Sequence, residues 1–134
     1  MLTMKYIEQQ DIKDNITVIK INETYYEGIS AEALYDYTRG IWYRNLKSVS
    51  DDEYALSVVN TIVIEVYKID HWVPGTKAAF KMRKVDPKEA ARRIAFVGKV
   101  AEDSVRNRYI GKSVSHLYKR NASNPCVSFK KYSK

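Results

Sequence analysis

Residues 54–72, Tyr54-Ala55-Leu56-Ser57-Val58-Val59-Asn60-Thr61-Ile62-Val63-Ile64-Glu65-Val66-Tyr67-Lys68-Ile69-Asp70-His71-Trp72, constrain the fold more than any other stretch. They form the longest apolar run, rich in β-branched residues, with the pair Asn60-Thr61 placed to make a two-residue hairpin turn. With that turn, Val59 faces Ile62, Ser57 faces Ile64 and Ala55 faces Val66 on one side. The other side then carries Val58 with Val63, Leu56 with Glu65 and Tyr54 with Tyr67. Both sides are apolar enough to need cover, which favours a closed or wrapped sheet built around this hairpin.

The flanking chain supplies further short elements. Residues 4–9 and 15–21 read as strands. Ser30 stands as an N-cap before Ala31, Leu34, Tyr35 and Thr38, one face of a short helix ending at Gly40. Ile41-Trp42-Tyr43-Arg44 is extended, residues 47–53 are polar, and Val73-Pro74-Gly75-Thr76 signals a turn. Residues 78–83 read as a strand, and Asp86-Pro87 opens a capped helical turn. Residues 94–100 form another strand, in which Gly98 marks a bulge or a close approach of backbone. Residues 102–109 make a second short helix, with acids in its first turn and Arg106 and Arg108 near its end. Residues 112–118 and 126–132 supply two last elements. The count, six or seven strands with two or three short helices, predicts one α+β domain over residues 1–134: a small, strongly bent, mostly antiparallel β-barrel. A chain of 134 residues is long enough to bury roughly two-thirds of its unfolded surface without a staple.

Charge narrows the classes of function. Of the net +7, residues 1–70 contribute −5, from 7 Lys/Arg and 12 Asp/Glu, and residues 71–134 contribute +12, from 16 and 4. A basic half of this kind attracts phosphates. One cysteine and two histidines cannot complete a four-ligand structural zinc site, and no cofactor is implied. The N-terminus has no apolar signal-peptide region and no window is long and apolar enough for a membrane span, so a cytoplasmic protein with no membrane partner is expected.

Candidate contacts follow from residue type and spacing. Residues 37–44 concentrate two tyrosines, a tryptophan and two arginines, the set from which base-stacking surfaces and flipped-base pockets are made. Here Trp42 and Tyr43 are placed to stack, and Arg39 and Arg44 to reach phosphate or a base edge, against the plainer alternative of a core Trp42 and an Arg39 paired with Asp36. Gly111-Lys112-Ser113 ends like a P-loop, but Arg106 stands where its first glycine belongs. Lys112 and Ser113 are left as a simpler phosphate contact or a structural turn. Asp70-His71 pairs a carboxylate with an imidazole, yet neighbours on a strand point to opposite faces and no nucleophile motif accompanies them. Catalysis on nucleotides is the least supported reading.

The strings Leu34-Tyr35-Asp36-Tyr37-Thr38-Arg39-Gly40-Ile41-Trp42, residues 54–63, and Tyr109-Ile110-Gly111-Lys112-Ser113-Val114-Ser115-His116 through Asn124-Pro125 resemble a bacterial and phage domain that occurs alone or beside nuclease domains. The pattern, over about residues 30–132, is similar to the PUA-like barrels, the class containing EVE, ASCH and base-flipping SRA domains. The chain departs from it at Asn60-Thr61, where Asn-Gly is expected, and at Ile94-Ala95-Phe96, where Trp-Glu-Phe is expected. The resemblance implies a barrel able to hold a base and no catalytic residue. Together these features predict a non-enzymatic module that binds DNA or RNA, in one form by reading a modified or flipped base. The alternative is a phage or bacterial accessory protein that binds a small nucleotide or a protein partner such as a nuclease.

Overall fold

A computed structural model describes residues 3–118 and 124–133. Five strands form one mixed sheet in the order β4-β3-β2-β1-β5: β1 (Ile16–Lys20), β2 (Tyr54–Val59), β3 (Ile62–Pro74), β4 (Ile94–Val100) and β5 (Cys126–Phe129). The β1/β2 pair is parallel and the other three are antiparallel. Four short helices accompany them: α1 (Ala31–Arg39), α2 (Leu46–Val49), α3 (Pro87–Ala90) and α4 (Asp103–Tyr109). The α+β class is as expected, but the sheet is open, with β4 and β5 at its two edges, so no barrel closes.

The two-sided apolarity of the hairpin is satisfied by cover on each face instead of closure. On one face Ile16, Val18, Tyr54, Leu56, Val58, Val63 and Val66 pack with Val105 and Tyr109 of α4 and with Ile7, Ile12, Val114 and Leu117. On the other, Ile19, Ala55, Tyr67, Ile69 and Phe96 pack with Leu34 and Tyr35 of α1 and with Trp42 and Trp72. Two strips of side chains, each with its own helix, thus do what a second sheet or a barrel wall would do.

Asn60 and Thr61 take φ of 49° and 68°, both in the left-handed region that a two-residue hairpin turn demands. The expected register holds for Val59 opposite Ile62 and Val58 opposite Val63, then slips by one: Ser57 pairs with Glu65, Leu56 with Val66, Ala55 with Tyr67 and Tyr54 with Lys68. Ile64 is the extra residue, taken up as a bulge that lets Ile64 and Val66 enter opposite cores. A second irregularity falls at Asp70, because Ile69 pairs with Gly98 and His71 with Val97. Gly98 is there for close approach: a Cβ on it would lie 2.1 Å from the Lys68 carbonyl oxygen.

Other boundaries follow the local chemistry. The Ser30 hydroxyl accepts from the Ala33 N–H at the start of α1, and the Asp86 carboxylate accepts from the Lys88 N–H at the start of α3. Three readings are corrected. Residues 4–9 form no strand and pair with the rest as β structure only at an isolated bridge from Tyr6 to Ser113, and the start of the polar stretch 47–53 belongs to α2, capped by Asn45. Residues 78–83 are irregular and not a strand. Among the described residues no helix is long and apolar enough to cross a membrane.

Candidate functional site

The structure separates the residues expected to bind together. Arg39 is 4% exposed; its Nε donates to the Phe96 carbonyl and its Nη1 to the Ala79 carbonyl, each at 2.9 Å, and Asp36 Oδ1 lies 3.7 Å away. Its guanidinium stacks 5.1 Å from the Tyr35 ring and 4.7 Å from that of Phe80. Arg39 therefore ties α1 to β4 and to the segment between β3 and β4, and does not face solvent. Trp42 is half-buried in the second core, its indole N–H donating to the Thr38 carbonyl at 2.8 Å and its backbone bridging Ile94. Arg44 grips β5, donating to the Cys126 carbonyl at 3.1 Å and to Ser128 Oγ at 2.8 Å. Ser113 is buried; its hydroxyl donates to Thr61 Oγ1 at 2.9 Å and its backbone joins Lys5 and Ile7, so it fastens the N-terminal segment to the hairpin turn. Lys112 is half-buried beside it, with its carbonyl taken by the Val63 N–H.

Tyr43 alone of the expected set is well exposed, at 69%. It stands beside a cluster that sequence reading split between a strand and a helical turn. Residues 77–93 carry Lys77, Lys81, Arg83, Lys84, Lys88, Arg92 and Arg93 against Asp86 and Glu89. Among the described residues, none of these seven cations lies within ion-pair distance of a carboxylate. Elsewhere in the second half Arg106 pairs with Glu65 and Asp103, Arg108 with Asp14, and Lys130 with Asp51. Among the described residues, seven of the ten Lys and Arg after residue 70 that make no ion pair lie in this one segment, the others being Lys99, Lys112 and Lys131.

That segment is held in place by α1. Asp36 Oδ2 accepts from the backbone N–H groups of Lys81 and Met82 at 2.8 and 2.7 Å, replacing the neighbouring strand that the sequence reading supplied. Arg39 takes the Ala79 carbonyl, and Arg83 donates to the Gly40 carbonyl. Arg83 lies 5.5 Å over both the Tyr37 and the Phe80 rings, and Arg93 lies 5.9 Å over Tyr43. The result is a basic segment with rings at two places, Tyr37 and Phe80 at Arg83 and Tyr43 at Arg93, and an open cleft of about 710 Å³ lined by Tyr37, Phe80, Lys81, Met82, Arg83 and Lys84. The signal available in the sequence was the spacing Lys77, Lys81, Arg83, Lys84, Lys88 with Phe80 and Met82 between.

The other candidate groups do not assemble into a centre. The bulge at Asp70 brings its Oδ2 to 2.7 Å from His71 Nδ1, with both side chains more than half exposed. His116 pairs at 2.6 Å with Glu8 and stacks on Tyr6, next to the turn that Ile62 and Ser113 share. Ile62 and His71 are nine residue steps apart along β3, about 30 Å of strand, so the two histidines do not converge. Cys126 is buried against Thr17 and Arg44, and burial pushes its thiol above the ordinary range, away from nucleophilic use. Among the described residues no three His, Cys, Asp or Glu side chains gather to hold a metal ion.

Comparison with protein-family models, with curated proteins and with solved structures gives no match for this chain.

Proposed function

We propose that the chain is a nucleic-acid-binding module whose contact surface is segment 77–93 together with Tyr37 and Tyr43. The observation that carries this reading is the set of seven cations in that segment, none paired with a carboxylate among the described residues, around partly exposed rings. Unpaired Lys and Arg on a surface repel one another, and a polyphosphate removes that repulsion while releasing its own counterions. Of the residues singled out by sequence, Tyr43 belongs to this surface directly. Arg39 serves it by holding the segment, and Arg44, Lys112 and Ser113 lie outside it. A flipped or modified base would need a snug enclosing pocket. The cleft beside Tyr37 is open, so the reading favours contacts to phosphate and to stacked bases over capture of a single extruded base.

The test is fluorescence anisotropy with labelled oligonucleotides in 50 mM salt, using the wild type and a triple charge reversal, Lys81→Glu, Lys84→Glu and Arg92→Glu, all at exposed positions. Binding that weakens steeply with added salt and falls by at least tenfold in the variant is the expected result. Equal binding by variant and wild type, or no binding to any DNA or RNA, overturns the proposal.

A further inference from the structure

We infer that this surface takes single-stranded nucleic acid in preference to duplex, an inference that rests on the nucleic-acid reading above. Duplex readers insert a helix or a two-stranded ribbon into a groove. Here the cations sit on a largely irregular segment whose helical pieces are the end of a three-residue 3-10 turn at Lys77 and the four-residue α3. The segment cannot lift out to enter a groove without breaking its ties, because its backbone is pinned at Ala79 by Arg39 and at Lys81 and Met82 by Asp36.

What the segment does offer is aromatic rings set beside its charges, Phe80 within it and Tyr37 and Tyr43 against its arginines. Tyr43 is 69% exposed with the Arg93 guanidinium 5.9 Å from its ring centre. Tyr37 and Phe80, both partly exposed, share Arg83, whose guanidinium lies 5.5 Å from each. An aromatic ring or a guanidinium plane stacks an unpaired base of any identity, and flanking Lys and Arg take the phosphates between stacked bases. The open cleft of about 710 Å³ lined by Tyr37, Phe80 and Lys84 leaves room for unpaired bases to lie against the rings, whereas a duplex keeps its bases stacked inside. Lys77, Lys81, Lys84, Lys88 and Arg92 are exposed, so phosphate contacts are available along the whole segment.

The experiment compares a labelled dT12 strand with a 12-base-pair duplex by anisotropy at 50, 100 and 200 mM NaCl. Single-strand binding at least tenfold tighter than duplex binding is expected. Its logarithmic salt slope should be about 0.7 per phosphate neutralised, against about 0.9 on B-form duplex. Tyr43→Ala should weaken dT12 binding by about tenfold, the loss of one stacked base, with duplex binding unchanged. Tyr43→Phe keeps the ring and should bind dT12 as the wild type does. Duplex binding as tight as single-strand binding, or a Tyr43→Ala variant that binds dT12 like the wild type, overturns the inference and leaves nucleic-acid binding standing. Absence of binding to dT12, to the duplex and to their RNA counterparts overturns both.

Discussion

Asp52 is a carboxylate 6% exposed that accepts a hydrogen bond at Oδ2 from Ser128, while its buried Oδ1 has no hydrogen-bond partner among the described residues. Burial raises its pKa above the ordinary carboxyl range, against the opposing pull of the Ser128 hydrogen bond and the nearby Arg44 and Lys130 charges. The sign of the linkage follows. Below the unfolded pKa of about 3.9 the group is neutral in both states and costs no charge burial. As pH rises through the raised folded pKa, the fold must ionise a group that the unfolded chain ionises freely, and stability falls. Asp52→Asn keeps the acceptor for Ser128 and removes the titration. Its melting temperature relative to wild type should therefore climb between about pH 4 and pH 7, and thermal melts at both ends of that range would refute the account if the difference stays constant. The neighbouring arginine shows what single residues conceal in a sequence. Arg39 and Arg44 have the residue type and setting of nucleic-acid contacts, and both turn inward to carbonyls, Phe96 and Ala79 for one and Cys126 for the other. Nothing local distinguishes an arginine that will meet a phosphate from one that will meet a carbonyl 57 or 82 positions away. That difference is set by tertiary packing.

Elements whose ends are fixed by short-range chemistry were legible, and those completed by a distant side chain were not. Ser30 before α1, Asp86-Pro87 before α3 and the Asn60-Thr61 turn each carry their own signal within four residues. The strand expected over residues 78–83 fails for the opposite reason: its N–H groups at Lys81 and Met82 go to the Asp36 carboxylate instead of to a strand, a bond made across 45 and 46 positions. The edge of β4 is finished in a related way. Gly98 N–H donates to the Tyr35 hydroxyl at 2.9 Å, the Phe96 carbonyl accepts from Arg39, and Ile94 exchanges backbone bonds with Trp42. An edge strand whose outward groups are already occupied offers no template for another chain, so α1 both covers the second core and closes this side of the sheet. Gly98 is the position on which this arrangement is most exacting. A methyl group there meets the Lys68 carbonyl oxygen at 2.1 Å and the Lys68 carbonyl carbon at 3.1 Å, both backbone atoms that can move only by opening the β3/β4 ladder. Gly98→Ala should cost about 3 kcal/mol, at the upper end of overpacking effects, read as a lowered urea midpoint with an unchanged slope. A variant as stable as wild type would mean that the bulge at Asp70 relaxes freely.

Across the whole molecule the charge is divided by role as well as by sequence. The acidic first half supplies Asp14, Asp51 and Glu65 to pair with Arg108, Lys130 and Arg106 of the second half, which neutralises α4 and the β5 end. Segment 77–93 receives no such partner among the described residues and keeps a balance of +5. Charges of one sign crowded on a pinned segment destabilise the folded state in low salt, and a Debye length that shortens from about 10 Å at 0.1 M to 3 Å at 1 M relieves them. Exposed ion pairs elsewhere contribute little that salt can remove. The free protein should therefore melt at a higher temperature in 500 mM than in 50 mM NaCl. An oligonucleotide at a hundred times its dissociation constant should stabilise the fold by about 2.7 kcal/mol, a rise of about 10 °C for a chain of this size. That rise should appear at 50 mM NaCl and vanish at 500 mM, where phosphate contacts are displaced. The two effects of salt have opposite signs, so a single series of melts with and without oligonucleotide separates them. A ligand-induced rise that survives 500 mM NaCl would place the binding energy in contacts other than the unpaired cations of segment 77–93.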